Sequence, residues 1–260
     1  MTEPMTDDST DAMAERIASS IRDQTADGDQ SRRRFLSRSA LAATGLLAVG
    51  GGAGVTLAQD GDDQGMSAQA ASFDDVAGTD VDVLNYALSL ENLENAFYAE
   101  ALERFDESEF DEADIVSEYS TEADMSVYDY VVAIGNHEAA HVDVLTQAVE
   151  LLGGDPSTEA TYEFGIESVE DIFSLGQVFE NTGVAAYAGA APFVESPDLQ
   201  SAALSIHSVE ARHAAFLNDI NGESFFPNAF DSPSSQDEVL DAVSQFIVDS
   251  EGEGDGEGSE

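Results

Sequence analysis

The chain has 260 residues, of which 42% are hydrophobic, so it is long enough for one well-packed domain with extensions. It carries 54 acidic residues against 8 basic ones, all of them arginine, and its formal net charge of −46 excludes nucleic-acid binding, which needs a basic surface. Because the chain has no cysteine, disulfides and thiolate chemistry are also excluded.

The first 58 residues are predicted to be a disordered acidic leader followed by an export signal. Residues 1–30 are polar without an apolar period, which is typical of disorder. Arg32 and Arg33 then precede an uncharged run, residues 39–59. This arrangement resembles a twin-arginine signal, through which export machinery moves folded proteins across a membrane. We therefore expect the protein outside the cytoplasm or at the cell surface.

Small residues at Thr56 and Ala58 suit cleavage of this signal before Gln59. The alternative is an uncleaved signal that anchors the protein. Residues 59–78, rich in Gly, Asp, Gln and Ser, are predicted to be a linker.

Residues 79–249 are predicted to form a domain of helices. The first helix begins at Thr79, with Asp82 three residues later as a weak capping box, and ends near Phe105. The acidic residues 106–124 are expected to form a solvated connection. Ser126 with Asp129 begins the second helix, which Gly153 and Gly154 end.

The second half of this domain follows a long connection of about the length needed to cross a helix bundle. The third helix is expected at 169–191 and the fourth at 197–218, where Ser196 and Pro197 supply an N-cap and a first-position proline. Ser235 with Glu238 begins a short fifth helix, whose apolar face is expected to pack on the bundle. The acidic residues 250–260 are predicted to be a disordered tail. Three aromatic residues between the fourth and fifth helices are predicted to be core anchors: Phe225, Phe226 and Phe230.

Two pairs of residues carry the chemical signal. Glu138 and His141 lie three positions apart on the second helix, and Glu210 and His213 repeat this spacing on the fourth. Residues i and i+3 share one helix face, so each pair can present a carboxylate and an imidazole to one metal ion.

A second repeat precedes each pair. The first helix contains ENLENAFY, from Glu91 to Tyr98, and the third contains ENTGVAAY, from Glu180 to Tyr187. Between residues 172 and 194 the only charged residue is Glu180. An ionised carboxylate on an apolar face is costly unless it is paired or bound to a metal, and two divalent cations would balance four such charges.

Together these residues resemble the ferritin-like di-metal carboxylate family, which includes rubrerythrins, bacterioferritins and manganese catalases. Its signature is one Glu from each of two helices and Glu-x-x-His from each of the other two. The resemblance implies an all-α four-helix bundle with one long middle crossover and holding two iron or manganese ions. It also implies that Glu138 and Glu210 bridge the ions, that Glu91 and Glu180 are terminal ligands, and that His141 and His213 each cap one ion.

Several residues near this pattern have alternative roles. Glu94 also lies in the apolar arc of its helix and could replace or supplement Glu91. Tyr98 and Tyr187 could bond to ligand carboxylates or donate electrons, or simply pack in the core. His207, one turn before Glu210, is expected to be a core or rim residue, and His137 lies about 100° away from Glu138 and is not expected to be a ligand.

The resemblance favours an oxidase, peroxidase or catalase-type activity on O₂ or H₂O₂. A structural or stress-protective protein with a silent metal site and a metal-binding protein for uptake are the alternatives, and a homodimer is compatible with the sequence. The acidic, lysine-free composition resembles that of proteins from extreme halophiles. Such a surface repels itself in dilute buffer, and molar salt screens that repulsion.

Overall fold

A computed structural model describes residues 80–117, 119 and 125–248. This part of the chain is helical, which confirms the predicted all-α class. Its α-helices are α1 (Asp80–Arg104), α2 (Glu107–Glu112), α3 (Asp114–Ser117), α4 (Val127–Leu151), α5 (Val169–Ala190), α6 (Pro197–Ile220) and α7 (Gln236–Ser244), and a 3-10 turn (Ala191–Phe193) links α5 to α6. The predicted leader, export signal, linker, Thr79 cap and acidic tail lie outside the described residues. Among the described helices, none combines the length and apolar character that crossing a bilayer requires.

The four long helices form a bundle in which α1 is antiparallel to both α4 and α5. The end of α1 at Tyr98 lies against Gly135 of α4, and its beginning at Val81 lies against Gly154, beyond the end of α4. On α5, Glu180 bonds to Tyr98 and Tyr187 bonds to Glu91, which gives the same opposed direction. It follows that α4 and α5 run parallel to each other.

Because α4 and α5 are parallel, residues 152–168 must return along the length of the bundle. Near the start of this connection, the carbonyl of Asp155 accepts a hydrogen bond from Asn85 of α1. Further on, the ring of Phe164 packs 5.3 Å from that of Phe97, 12 residues later on α1 and hence about 18 Å along its axis. The predicted middle crossover is confirmed.

Capping boxes with a serine N-cap fix where three helices begin. The hydroxyls of Ser126, Ser168 and Ser235 each accept from a backbone N–H three residues on, and the carboxylate there accepts from the backbone N–H of the serine. Ser196, followed by Pro197, caps α6 as predicted. These bonds satisfy N–H groups that the first turn of a helix leaves without a partner.

Glycines fix where α4 and α6 end. Gly153 and Gly222 both have φ of 79°, a left-handed conformation that costs glycine little. The N–H of Gly154 bonds to the Val149 carbonyl, and that of Glu223 bonds to the Asn218 carbonyl. This pattern is the Schellman motif, which satisfies the last carbonyls of a helix.

The expectation of a solvated connection at residues 106–124 was wrong for its described part. Residues 107–117 form α2 and α3, and Phe110 is fully buried with its ring 5.2 Å from Tyr128 and 5.9 Å from Phe173. Ala113 and Val116 are buried as well. Apolar residues three apart therefore form a stripe against the bundle, while the acidic residues between them face solvent.

The prediction of core anchors at Phe225, Phe226 and Phe230 was also wrong, since these side chains are 49%, 70% and 70% exposed. The aromatic residue of the C-terminal segment that packs on α5 is Phe246, whose ring lies 4.9 Å from that of Phe179. The short helix α7 buries Val239 and Val243, in agreement with its predicted apolar face. Beyond it, an isolated antiparallel bridge between Tyr162 and Ile247 ties the C-terminal segment to the crossover.

Candidate metal centre

The bundle core brings all six predicted ligand residues together. Its long helices supply Glu91 from α1, Glu138 and His141 from α4, Glu180 from α5, and Glu210 and His213 from α6. All four carboxylates have no solvent exposure, although carboxylates are among the groups least often buried. Their donor atoms form two groups, each within 4.8 Å: Glu91, Glu138, His141 and Glu210 in the first, and Glu138, Glu180, Glu210 and His213 in the second. Glu138 and Glu210 belong to both groups.

The first group is centred on His141. Its Nδ1 lies 3.1 Å from Glu91 Oε2, 3.1 Å from Glu138 Oε2 and 3.1 Å from Glu210 Oε1. A ring nitrogen carries one hydrogen at most and can donate one good hydrogen bond. Three carboxylates around one nitrogen are therefore more than hydrogen bonding needs, and each oxygen is placed to share a cation with the nitrogen.

The second group repeats this arrangement around His213. Its Nδ1 lies 3.0 Å from Glu138 Oε1 and 3.2 Å from Glu180 Oε2. Glu138 thus directs one oxygen to each histidine, the orientation expected of a carboxylate that bridges two ions.

The donor atoms fit a pair of metal ions. Ligands about 2.1 Å from a metal in octahedral geometry are about 3.0 Å from one another. The distances of 3.0–3.2 Å between each histidine Nδ1 and the carboxylate oxygens around it are close to this value. Glu138 Oε1 and both oxygens of Glu210 are buried without a hydrogen bond in the described part of the chain, a costly situation that cation binding would relieve. Carboxylate oxygens with imidazole nitrogens suit iron or manganese better than soft metals.

The pKa shifts of the residues in the centre are also consistent with cation binding. Burial, together with the charge of Glu210, raises the pKa of Glu138 to about 7, and burial raises the pKa of Glu210 well above its usual value. Burial alone would lower the pKa of His213, but the Glu180 and Glu138 carboxylates raise it to about 10. Without a cation the cluster therefore retains protons, and bound cations would replace them.

Two tyrosines hold the terminal carboxylates in a crossed arrangement. The Tyr98 hydroxyl on α1 donates to Glu180 Oε1 on α5 at 2.7 Å, and the Tyr187 hydroxyl on α5 donates to Glu91 Oε1 on α1 at 2.5 Å. Burial and the adjacent carboxylates raise the pKa of both tyrosines well above the ordinary value, so they remain donors. The second oxygen of each carboxylate faces a histidine, since Glu91 Oε2 lies 3.1 Å from His141 Nδ1 and Glu180 Oε2 lies 3.2 Å from His213 Nδ1. The repeated Glu-to-Tyr spacing in the sequence corresponds to this arrangement.

His137 belongs to neither metal group but contacts His213, a contact that sequence reasoning missed. Its Nδ1 lies 2.9 Å from His213 Nε2, on the side of that ring opposite the carboxylates. Burial and the two neighbouring histidines lower its pKa to about 4, which favours the neutral ring. Because His137 is adjacent to Glu138 in the sequence, it lies off the ligand face of α4. It contacts His213 because of the way α6 packs against α4.

Glu94 is a further buried carboxylate beside the centre, 3% exposed. Burial and the charge of Glu210 raise its pKa well above the usual value. It belongs to neither metal group, whereas Glu91 belongs to the first. A Cβ at Gly183 would lie 3.1 Å from Glu94 Oε1 and 3.3 Å from Glu210 Oε2, so this glycine leaves room for both side chains. His207 belongs to neither group, and its Nδ1 is buried without a hydrogen bond to a described residue.

A family model described as ferritin-like domain matches residues 79–223, more than half of the chain. The chain belongs to the ferritin-like domain family. It is also similar to Protein rds1 of Schizosaccharomyces pombe, with 23% identity over 169 residues. That match covers 65% of this chain and 39% of the length of the yeast protein. The ferritin-like domain and its buried carboxylate and imidazole groups are consistent with metal binding.

Proposed function

We propose that this ferritin-like domain holds two iron or manganese ions and acts as an oxidoreductase on O₂ or H₂O₂. The observation that carries the proposal is the presence of Glu138 and Glu210 in both donor groups, each completed by one histidine and one terminal Glu. The residues of the two donor groups would hold two adjacent ions, which would supply binding positions for a two-atom oxygen substrate. Bound iron or manganese would supply the reversible change of oxidation state that the activity requires.

The protein's own residues would position and insulate this chemistry. Tyr187 and Tyr98 orient Glu91 and Glu180 through hydrogen bonds, which leaves one oxygen of each carboxylate for an ion. Phe97 and Phe179, with rings 5.0 Å apart, are buried within the same core and help exclude water. Each tyrosine is one hydrogen bond from a ligand carboxylate and is thereby placed to supply an electron.

A metal centre that stabilises the fold without turnover is the second candidate. The complete burial of all four carboxylates favours it, because buried ligands slow the exchange of metal and the entry of substrate. A stabilising centre would hold the same number of metal ions as an enzymatic one, but it would not react repeatedly with peroxide or O₂.

Turnover separates the two candidates. Protein loaded with Fe(II) or Mn(II) is mixed with H₂O₂ in molar salt, and peroxide loss and O₂ release are followed, with ascorbate present in a parallel assay as a reductant. We expect many equivalents of peroxide consumed per chain, with loss of activity in Glu210→Gln and retention in Glu170→Gln, an exposed control on α5. Consumption of peroxide, and of O₂ in the assay with ascorbate, that stops at about one equivalent per metal pair would contradict an enzymatic role.

We also propose that the protein is exported in its folded state. The support is the Arg32-Arg33 pair before the uncharged residues 39–59. Replacement of both arginines by lysine keeps the charge and should leave the precursor in the cytoplasm. The location of the wild type and of the double variant can be compared by fractionation of cells, and wild-type surface levels of the variant would contradict the proposal.

A further inference from the structure

The two histidines of the centre, His141 and His213, differ in the hydrogen-bonding partner of their Nε2 atoms. His213 directs Nδ1 towards Glu138 and Glu180, while its Nε2 is 2.9 Å from Nδ1 of His137. The planes of these two rings differ by only 10°, and 2.9 Å is a hydrogen-bond distance. For His141, in contrast, no hydrogen bond joins Nε2 to another residue in the described part of the chain.

We propose that His137 is a positioning residue that makes the two metal positions unequal, by accepting the Nε2–H hydrogen bond of His213. This inference rests on the proposed metal centre. A ligating imidazole carries its proton on the nitrogen that does not face the metal, and an acceptor for that proton fixes both the tautomer and the ring orientation. With its proton committed to His137, His213 presents the Nδ1 lone pair to the second donor group.

The consequence is ordered binding of the two ions. The His213 ring is held at both nitrogens, by carboxylates at Nδ1 and by His137 at Nε2, whereas the His141 ring has hydrogen-bonding partners among the described residues at Nδ1 alone. A preorganised ligand loses less conformational entropy on binding. The first ion should therefore occupy the group of Glu138, Glu180, Glu210 and His213, and it should be the last to leave.

Three variants test this inference. His137→Phe keeps a planar ring but removes the acceptor, His137→Gln restores an acceptor oxygen, and His207→Phe is a matched change at a histidine outside both donor groups. The two stepwise Fe(II) dissociation constants are measured anaerobically by competition with a chelator. We expect His137→Phe to weaken the tighter constant by about 10–100-fold and to leave the weaker one unchanged. His137→Gln should recover most of the loss, and His207→Phe should change neither constant.

Unchanged constants in His137→Phe, or equal weakening of both, would overturn the inference. A second measurement needs no variant and so remains valid if one fails to fold. NMR of histidine-labelled wild type, both metal-free and loaded with Zn(II), should show His137 with its proton on Nε2 and a slowly exchanging Nε2–H on His213. A proton on Nδ1 of His137 would overturn the inference. If the wild type binds no metal, the proposed function fails separately, because the metal-free spectra still report this hydrogen bond.

Discussion

At the scale of single residues, the centre depends on buried polar atoms that satisfy one another. The Tyr98 hydroxyl of α1 donates to Glu180 of α5, and the Tyr187 hydroxyl of α5 donates to Glu91 of α1. Each of these two helices therefore orients a carboxylate of the other. The sequence repeat indicated that Glu91 and Glu180 would have equivalent tyrosines, but it could not show that each tyrosine would bond to the carboxylate of the opposite helix. That pairing depends on the antiparallel contact of α1 with α5.

Removal of one of these hydroxyls should destabilise the metal-free protein. In Tyr187→Phe, the buried Glu91 Oε1 loses its donor, and we expect a loss of about 1–3 kcal/mol in the free energy of unfolding. Urea unfolding in molar salt measures it. Tyr128→Phe is the control, because the Tyr128 hydroxyl makes no hydrogen bond to a described residue and its ring packs on Phe110. Equal stability of Tyr187→Phe and the control would contradict the prediction.

The limits of sequence-based prediction are also clearest for single residues. The Glu-x-x-His spacing places Glu138 with His141, and Glu210 with His213, because it follows from helix geometry within one element. His137 and His213 are 76 positions apart in the sequence and lie on different helices. Their contact therefore depends on how α4 and α6 pack. No local period encodes such a contact.

At the scale of secondary-structure elements, the helix boundaries were predictable because their signals are local. Ser126 with Asp129, and Ser235 with Glu238, form the capping boxes that their spacing indicated. The errors occurred where burial depends on distant elements. Phe110 lies in an acidic stretch and is buried, whereas Phe226 lies in an aromatic stretch and is exposed.

These two phenylalanines provide a matched test of the packing. Phe110→Ala should reduce the free energy of unfolding by about 3–5 kcal/mol, because it leaves a cavity beside Tyr128 and Phe173. Phe226→Ala removes the same atoms from a side chain that is 70% exposed and should change it by less than about 0.5 kcal/mol. Both are measured by urea unfolding in molar salt. Similar losses in the two variants would contradict the exposed position of Phe226.

At the scale of the whole molecule, charge sets the conditions for folding. The net charge of −46 is spread over a chain in which Arg104 and Arg212 are the only basic residues after residue 38. Arg104 pairs with Glu100 of its own helix, and Arg212 bonds to Ser208 of its own helix. Neither cation joins two of the described helices, so repulsion between those helices must be screened by solvent ions.

We therefore expect the thermal midpoint to fall sharply when salt is lowered from molar concentration to about 0.1 M. The screening length rises from about 3 Å to about 10 Å over that range, so acidic groups on neighbouring helices repel one another. Calorimetry or circular dichroism over a salt series measures the midpoint. Sucrose favours compact states without screening charge. Added at low salt, it should therefore not restore the midpoint measured in molar salt. A constant midpoint over the series would contradict this account.

The proposed pair of metal sites depends on the whole bundle, because each of its four long helices must contribute a ligand. Elemental analysis of protein loaded with excess Fe(II) or Mn(II) and then desalted into molar-salt buffer tests it most directly. We expect about two ions per chain in the wild type and in Glu170→Gln, and a larger loss in Glu138→Ala or Glu210→Ala than in Glu91→Ala, since the first two side chains belong to both donor groups. A wild-type protein that retains less than about half an ion per chain would contradict the di-metal centre.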